Sequence, residues 1–314
     1  MKESATLHAN TIRAKSQKVQ GQSEDDFDHH YWPPGRAAPQ TRGPRIPGLL
    51  VSTGLALLAI VFFFPMVWMV LSSFKTNRAI FSAPFALPTS IDFGHWAKAW
   101  NTGHLGRYAI NSVIVTGTSV FLILVIGAAA AFAFSRYRFR GRGFAMGLFA
   151  LGLLLPLQAY FIAQANLFNQ LAITDTLAAL IIPYTAMGLP LAVYLLKVYL
   201  DALPDELFEA ARIDGAGDWR VFRELALPLL RPGLATVAIF SALAAWNEFL
   251  LALLYIQDDS LKTIPTGLLA FSSRYVTDYS LLFSALSIVT LPMIVIYIVF
   301  NRHIVEGITA GSVK

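Results

Sequence analysis

Long stretches without a charged side chain are the feature that most restricts how this chain of 314 residues can fold. A helix needs about 20 predominantly apolar residues to cross the roughly 30 Å hydrocarbon core of a bilayer. Several stretches reach that length without Asp, Glu, Lys or Arg, and the stretch 232–257 contains only Glu248. The uncharged stretches are 47–72, 109–134, 144–174, 176–196 and 281–301. The sequence therefore predicts an all-α integral membrane protein with about six transmembrane helices.

The composition agrees with a lipid environment. Hydrophobic residues make up 56% of the chain and charged residues 14%, against about a quarter charged in soluble domains. The second half of 144–174 carries Gln and Asn, so we end that span early. Prolines within the apolar stretches, at Pro156, Pro183, Pro190 and Pro292, are expected to be tolerated as kinks. The predicted spans are about 47–72, 109–134, 144–163, 176–197, 231–256 and 281–301.

The distribution of Lys and Arg predicts the orientation. With six spans both termini lie on one side, and that side holds 18 basic residues against six on the other. Both termini should therefore be cytoplasmic, and the high isoelectric point is a topology signal that requires no nucleic-acid partner. Residues 1–46 are polar and read as a disordered cytoplasmic tail. A transmembrane domain follows at 47–306, and 307–314 form a second cytoplasmic tail.

Motifs for catalysis and for nucleotide binding are missing from the sequence. It has no cysteine, no glycine-rich P-loop pattern, no H-E-x-x-H and no G-x-S-x-G. We therefore expect no enzyme activity, no bound metal and no cofactor. Any ATP that drives this protein would be bound and hydrolysed by another polypeptide.

The cytoplasmic loop 198–230 is too polar for lipid and too patterned for disorder. Pro204 suits the first position of a helix, and Asp205 and Glu206 suit its positively polarised end. Gly215 suits the end of that helix, and Asp218 can cap a second short helix running to about residue 226.

The first of these short helices has an apolar side with small residues, which predicts a protein partner. The side consists of Leu207, Phe208, Ala210, Ala211 and Ile213. The alternative is an amphipathic helix lying on the bilayer surface.

The same loop carries a recognisable pattern. It reads Glu209-Ala210-Ala211-x-x-x-Gly215, followed after nine residues by Leu225-x-Leu227-Pro228. This resembles the EAA loop of ATP-binding-cassette (ABC) importer permeases, with Leu225 where Ile is usual. Further matches at 211–216, 245–249 and 306–314 are similar to the carbohydrate-uptake branch, specifically the second permease of maltose-type importers. The resemblance covers roughly residues 47–314.

The resemblance implies a type I importer permease in a bacterial inner membrane. Its EAA loop would be a coupling helix that docks on a separate ABC ATPase dimer. Glu209 would contact the ATPase by charge or hydrogen bond, Ala210 and Ala211 would pack against it, Gly215 would allow the turn, and Asp214 belongs to the same motif. The other implied partners are a second permease subunit in a heterodimer, an extracytoplasmic sugar-binding protein and the sugar. The tail 307–314 resembles one that reaches the ATPase in some relatives, with a frayed terminus as the alternative.

Candidate contacts along the substrate path come from polar residues within spans. An ionisable residue inside a span suggests a functional site, and Glu248 is the only one. Asn247 and Trp246 beside it, with Gln158 and Tyr184, supply the hydrogen bonds and aromatic surface that a sugar needs. A helix–helix hydrogen bond is the alternative role for Glu248. For the whole chain, the alternatives are an ABC permease for another solute, such as glycerol phosphate, a polyamine or a peptide, and a secondary transporter.

Overall fold

The computed structural model describes residues 48–156, 159–271, 278–291 and 293–294. By its packing the chain divides into two units, residues 1–60 and 61–314. The first unit is described only from residue 48, where helix α1 begins. Both predicted tails, 1–46 and 307–314, lie outside the described residues.

The described residues are helical and contain no β-strand. The helices are α1 Gly48–Ser72, α2 Asn77–Ser82, α3 Gly94–Thr102, α4 Leu105–Arg136, α5 Arg142–Leu154, α6 Phe161–Gln170, α7 Ala178–Asp201, α8 Asp205–Ile213, α9 Asp218–Leu229, α10 Arg231–Asn247, α11 Leu250–Tyr255, α12 Ile264–Gly267 and α13 Tyr279–Leu291.

Three of these helices, α1, α4 and α7, are long and apolar enough to cross a bilayer. Helices α9 and α10 are long and apolar enough to cross a bilayer only when they are taken together, and the chain bends by 72° between them. Helices α5 and α13 are apolar but shorter. Pro183 and Pro190 lie inside α7, as expected for tolerated kinks, whereas Pro292 lies outside the described residues. The all-α membrane fold is confirmed, and the count of six spans remains a prediction.

The third predicted span, 144–163, was wrong as a continuous helix. Helix α5 ends at Leu154, and Leu155 adopts an extended conformation with ψ 117°. Pro156 explains the end, because proline disfavours helical backbone in the residue before it and supplies no N–H. The chain becomes helical again in α6, where the sequence predicted a loop.

The fifth predicted span, 231–256, was also wrong as a continuous helix. Helix α10 ends at Asn247, and Glu248 has ψ 126° before α11 begins at Leu250. No proline marks this break, so the apolar pattern alone did not indicate it. The break lies at the single charged residue of the span.

Small residues allow α4 and α7 to pack closely. A Cβ atom at Gly127 would lie 3.0 Å from the Cβ of Ala192, and one at Gly188 would lie 2.3 Å from Cδ1 of Ile123. Ile123 and Ala192 are both buried. This helix pair forms the centre of the second unit, against which α5 and α10 pack.

Three clusters of buried side chains position the candidate sites. One cluster contains the last turns of α7 together with α8 and α9, including Phe208, Leu200 and Val221. The second joins α7 to α6 and α11 around Tyr184 and Tyr255. The third joins α3 and the start of α4 to α12 and α13.

We expect Gly188→Val to destabilise the fold because its new side chain would overlap the buried Ile123. Overpacking of this kind costs about 1–3 kcal/mol, so the thermal unfolding midpoint in detergent should fall. Gly117→Val in α4 is the control, since no atom lies within 4 Å of a Cβ built there. Equal midpoints for the two variants would contradict the proposed packing of α4 on α7.

Candidate functional site

The loop predicted to face the cytoplasm begins with helix α8. Pro204 is its N-cap, with φ −56° and ψ 135°, so the helix starts one residue later than the sequence suggested. Asp205 and Glu206 occupy the first turn, where carboxylates stabilise the positively polarised helix end. The predicted acidic start of the helix is therefore confirmed.

The end of α8 is closed by Gly215. Its backbone is left-handed, with φ 80°. The Gly215 N–H donates to the Arg212 carbonyl and the Ala216 N–H donates to the Ala211 carbonyl, each at 3.0 Å. This pair of bonds is a Schellman motif, which satisfies the last carbonyls of a helix and favours glycine at the left-handed position. A Cβ at Gly215 would meet no atom within 4 Å, so backbone geometry rather than space requires glycine.

The two faces of α8 have different surroundings. Phe208 is buried, and Ala211 is half-buried against the same core cluster. Glu209 and Ala210 are exposed, and Ile213 is 86% exposed. The apolar residues predicted to form one side are therefore divided between the inside of this chain and its surface.

Helix α9 continues the same surface. Gly217 is its N-cap, and Asp218 is the first helical residue rather than the cap that the sequence predicted. Asp218 lies 3.6 Å from Arg212, which links α9 to α8. Trp219 is 71% exposed, so a second large apolar side chain lies on the surface near Ile213 in sequence.

A charged cleft of about 470 Å³ borders the inner edge of α8. It is lined by Ser135, Arg136, Arg138, Arg142, Asp201, Asp205, Phe208, Glu209 and Arg212. Glu209 thus shares a cleft with arginines from the end of α4 and the start of α5. The sequence analysis did not identify these arginines as site residues, because it interpreted them only as signals of membrane orientation.

Glu248 holds the break between α10 and α11. Its carboxylate accepts backbone N–H bonds from Leu251 at 3.0 and 3.1 Å and from Ala252 at 3.3 Å. The Tyr184 hydroxyl donates to Oε2 of the same carboxylate at 2.7 Å. Both carboxylate oxygens therefore have partners within the chain, as the helix–helix alternative predicted.

The other predicted path residues do not gather around this carboxylate. Trp246 packs with the cluster at α3, α4 and α12. Asn247 is exposed and donates from Nδ2 to the Leu243 carbonyl at 2.8 Å. Gln158 lies outside the described residues. Of the predicted set, the structure brings together Tyr184 and Glu248.

A cavity of about 160 Å³ lies next to Tyr184 and Glu248. Residues from α4, α7 and α10 line it, including Ile123, Met187 and Ser241. Ser241 was not identified from the sequence, since a lone serine in an apolar helix carries no signal. Within the described part of the chain, no group of three or more His, Cys, Asp or Glu side chains could hold a metal ion.

Comparisons with known proteins agree on a single family. The family model described as "Binding-protein-dependent transport system inner membrane component" matches residues 123–309. The diacetylchitobiose uptake system permease protein NgcG of Streptomyces coelicolor is 37% identical over 265 residues, covering 83% of this chain and 87% of that protein. The trehalose/maltose transport system permease protein MalG of Thermococcus litoralis is 32% identical over 270 residues, covering 85% and 96%.

A solved structure has the same fold. It is a bacterial ABC transporter involved in the import of the acidic polysaccharide alginate, and one of its chains superposes with a TM-score of 0.72. The match covers 85% of this chain and 99% of that chain at 20% identity. The structural likeness therefore shows the fold, independently of close sequence similarity.

We expect Glu248→Ala to lower the stability of the protein by about 2 kcal/mol, because two N–H groups at the start of α11 would lose their acceptor. Tyr184→Phe removes a single hydrogen bond and should cost about 1 kcal/mol. Asn247→Ala is the neighbouring control, because its side chain bonds only within its own helix. Thermal unfolding in detergent should rank the three in that order, and an unaltered midpoint for Glu248→Ala would contradict the capping role.

Proposed function

Because the chain belongs to the family of binding-protein-dependent transport system inner membrane components, we propose that it is a permease subunit of an ATP-driven sugar importer. Relatives that it matches over most of their length are named for uptake of diacetylchitobiose and of trehalose or maltose. A further relative from Bacillus subtilis, 29% identical, is named for import of melibiose, raffinose and stachyose. These names support a carbohydrate substrate and favour it over glycerol phosphate, a polyamine or a peptide.

The observation that carries the proposal is helix α8 with its glycine-closed end and exposed outer face. We assign this face, formed by Glu209, Ala210, Ile213 and Trp219, to docking on a separate ATPase subunit. Ile213 and Trp219 expose large apolar surfaces, which commonly mark protein interfaces. Glu209 supplies a carboxylate for a hydrogen bond or an ion pair with the partner.

The acidic character of α8 argues against the alternative of a helix lying on the bilayer. Interfacial helices are rich in Lys and Arg on their polar face, because anionic headgroups attract them. Helix α8 and its cap instead carry Asp205, Glu206, Glu209 and Asp214, with Arg212 as the only basic residue. Such a helix would be repelled by anionic lipid.

The two alanines of the motif receive different roles in this proposal. Ala210 is exposed and allows the ATPase backbone to approach closely. Ala211 is half-buried against the core of its own chain, where a larger residue would push α8 outward. The small side chain at 211 therefore sets the depth of α8 rather than contacting the partner.

The substrate path is proposed to run beside the broken helix α10–α11. Non-helical backbone at membrane depth is tolerated where it is buried or lines a cavity. The cavity at Tyr184 and Ser241 adjoins this break. Because Glu248 and the Tyr184 hydroxyl are bonded to each other, we assign this pair to holding the wall of the path, and we assign sugar contact to the exposed Asn247.

The remaining partners follow from the proposed transport cycle. The alginate importer has been solved in complex with a pentasaccharide-bound periplasmic protein, which supports an extracytoplasmic binding protein as the sugar donor. We propose that a second permease completes the path as a heterodimer in the bacterial inner membrane. ATP would be bound and hydrolysed by the ATPase dimer, and its closure would move the permeases between inward-facing and outward-facing states.

The function is tested with the permease pair, the ATPase and the binding protein reconstituted in liposomes. Labelled diacetylchitobiose, maltose, trehalose and raffinose should be screened, and we expect uptake of at least one to require ATP and the binding protein. Glycerol phosphate and spermidine serve as non-sugar substrates. Uptake of only these solutes would overturn the sugar assignment, and uptake by the chain without the ATPase would overturn the importer assignment.

We expect Gly215→Val to abolish ATP-dependent uptake while the protein remains in the membrane. A β-branched residue is strained by about 1–2 kcal/mol in the left-handed conformation, so the end of α8 would unwind at the docking surface. Gly215→Asn should keep more activity, because asparagine tolerates that conformation.

The matched control for Gly215 is Gly217→Ala. Gly217 has φ −68°, which alanine adopts freely, and no atom lies near a Cβ built there. Uptake and membrane content should both be measured. Normal uptake by Gly215→Val would count against the docking role of this turn.

A further inference from the structure

Three helix ends meet at the side chain of Arg136. Arg136 is the last residue of α4, α7 ends at Asp201, and α8 begins at Asp205. The Arg136 side chain is only 8% exposed, although it lies at the end of a long helix. A buried cation at this junction requires partners to offset its lost hydration.

The partners of Arg136 belong to the other two helices. Nη1 donates to the Asp205 carboxylate at the start of α8, and Nη2 donates to the Leu200 carbonyl in the last turn of α7. The guanidinium also lies over the ring of Phe208, with Cζ 3.6 Å from the ring centroid. Phe208 is the buried residue of α8, so Arg136 contacts this helix at both its first turn and its inner face.

Helix electrostatics favour this arrangement. The ends of α4 and α7 both carry partial negative charge, which a cation stabilises, while the start of α8 carries partial positive charge, which Asp205 stabilises. The planar guanidinium donates in two directions and stacks on an aromatic ring at the same time. Lysine offers a point charge without that geometry.

The residue before Arg136 bonds to the same junction. The Ser135 hydroxyl donates to the carboxylate of Asp201, the last residue of α7, at 2.7 Å. Burial, and then the Asp218 carboxylate at the start of α9, raise the pKa of Tyr137, the residue that follows Arg136. Ser135 and Arg136 together therefore hold the end of α7 and the start of α8.

We infer that Arg136 is a positioning residue that fixes α8 to α4, so that a movement of the docking helix carries the membrane helix with it. This inference rests on the proposed function, since it assumes that the ATPase moves α8. Arg136 shares the charged cleft with Glu209, but its contacts on α8 are the first-turn Asp205 and the buried Phe208, which are not among the residues assigned to docking. Its role is to transmit a displacement within the chain.

A purely structural role and a transmitting role make different predictions for variants of Arg136. If the residue only stabilises the fold, substitution lowers the amount of complex but leaves each assembled complex normal. If it transmits movement, assembled complexes hydrolyse ATP while moving little sugar. The ratio of sugar transported to ATP hydrolysed separates these outcomes, because it does not depend on the amount of complex.

The test uses the reconstituted importer with Arg136→Gln and Arg136→Lys. We expect both to lower the transport-to-hydrolysis ratio, Arg136→Gln by at least about tenfold, within the range of coupling between sites in proteins. Asp205→Asn is a second variant for the case that Arg136→Gln fails to assemble, because the Asp205 side chain is 81% exposed and the asparagine oxygen can still accept a hydrogen bond from Arg136. Asp205→Asn should also lower the transport-to-hydrolysis ratio, by a smaller factor than Arg136→Gln.

Arg220→Gln is the matched control. Arg220 belongs to the same loop and pairs with Glu224, within its own helix, and both side chains are well exposed. Its ratio should equal that of the unmodified protein. An unchanged ratio in Arg136→Gln or in Asp205→Asn, with unmodified protein active, would overturn the inference while leaving the proposed function intact. Absence of ATP-dependent uptake by the unmodified importer would instead overturn the proposed function.

A distance measurement tests the same junction without transport. The chain has no cysteine, so spin labels can be attached through Ala129→Cys in α4 and Glu206→Cys in α8 alone, both at exposed positions. In the complex, the distance between the labels should be the same with and without nucleotide, because α4 and α8 move as one body. Adding Arg136→Gln should broaden the distances. A nucleotide-dependent distance in the otherwise unmodified pair would contradict the inference.

Discussion

The organisation of this permease depends on the need to bond backbone polar groups wherever a helix stops in or near lipid. Unbonded N–H and C=O groups are costly there, because no water replaces the missing partner. At several helix breaks a charged side chain supplies the missing hydrogen-bond partner. Glu248 accepts the first N–H groups of α11, Lys75 donates to two carbonyls just after α2, and Asp175 accepts two N–H groups after α11. These three charged residues therefore lie at interruptions of the helices.

The sequence predicted the fold class and the helix–glycine–helix structure of the loop 198–230 well, because both produce strong local signals. Uncharged stretches of about 20 residues indicate spans, and the first turn of α8 and Gly215 follow from helix-end chemistry. The breaks at Leu155 and Glu248 were missed for different reasons. Pro156 could either kink the helix or end it, and the local sequence does not distinguish these two possibilities. The break at Glu248 is stabilised in part by Tyr184, 64 residues away, and a contact of that kind leaves no local pattern.

The candidate site was predicted as a set of residues, but its division into faces required the structure. Ala210 and Ala211 are adjacent in a motif and identical in type, yet one is exposed and the other packs inside the chain. Helical periodicity separates neighbours by about 100°, but it does not say which side faces the bundle. Phe208 settles this, since its burial turns Ala211 inward and leaves Glu209 and Ala210 outside.

The close packing of α4 on α7 supplies the stiffness that the proposed role of Arg136 requires. A contact transmits displacement only when the elements that it joins are stiff, and small residues at 127 and 188 remove the space that side chains would need to reorganise. Helix α7 also supplies Tyr184, whose hydroxyl holds the break beside the proposed substrate path. In the proposed mechanism, a displacement that enters at α8 reaches α4 through Arg136, then α7 through its packing, and then the wall formed by α10 and α11. Every step along this route is a contact between described residues, so one continuous packed structure joins the proposed docking surface to the proposed path.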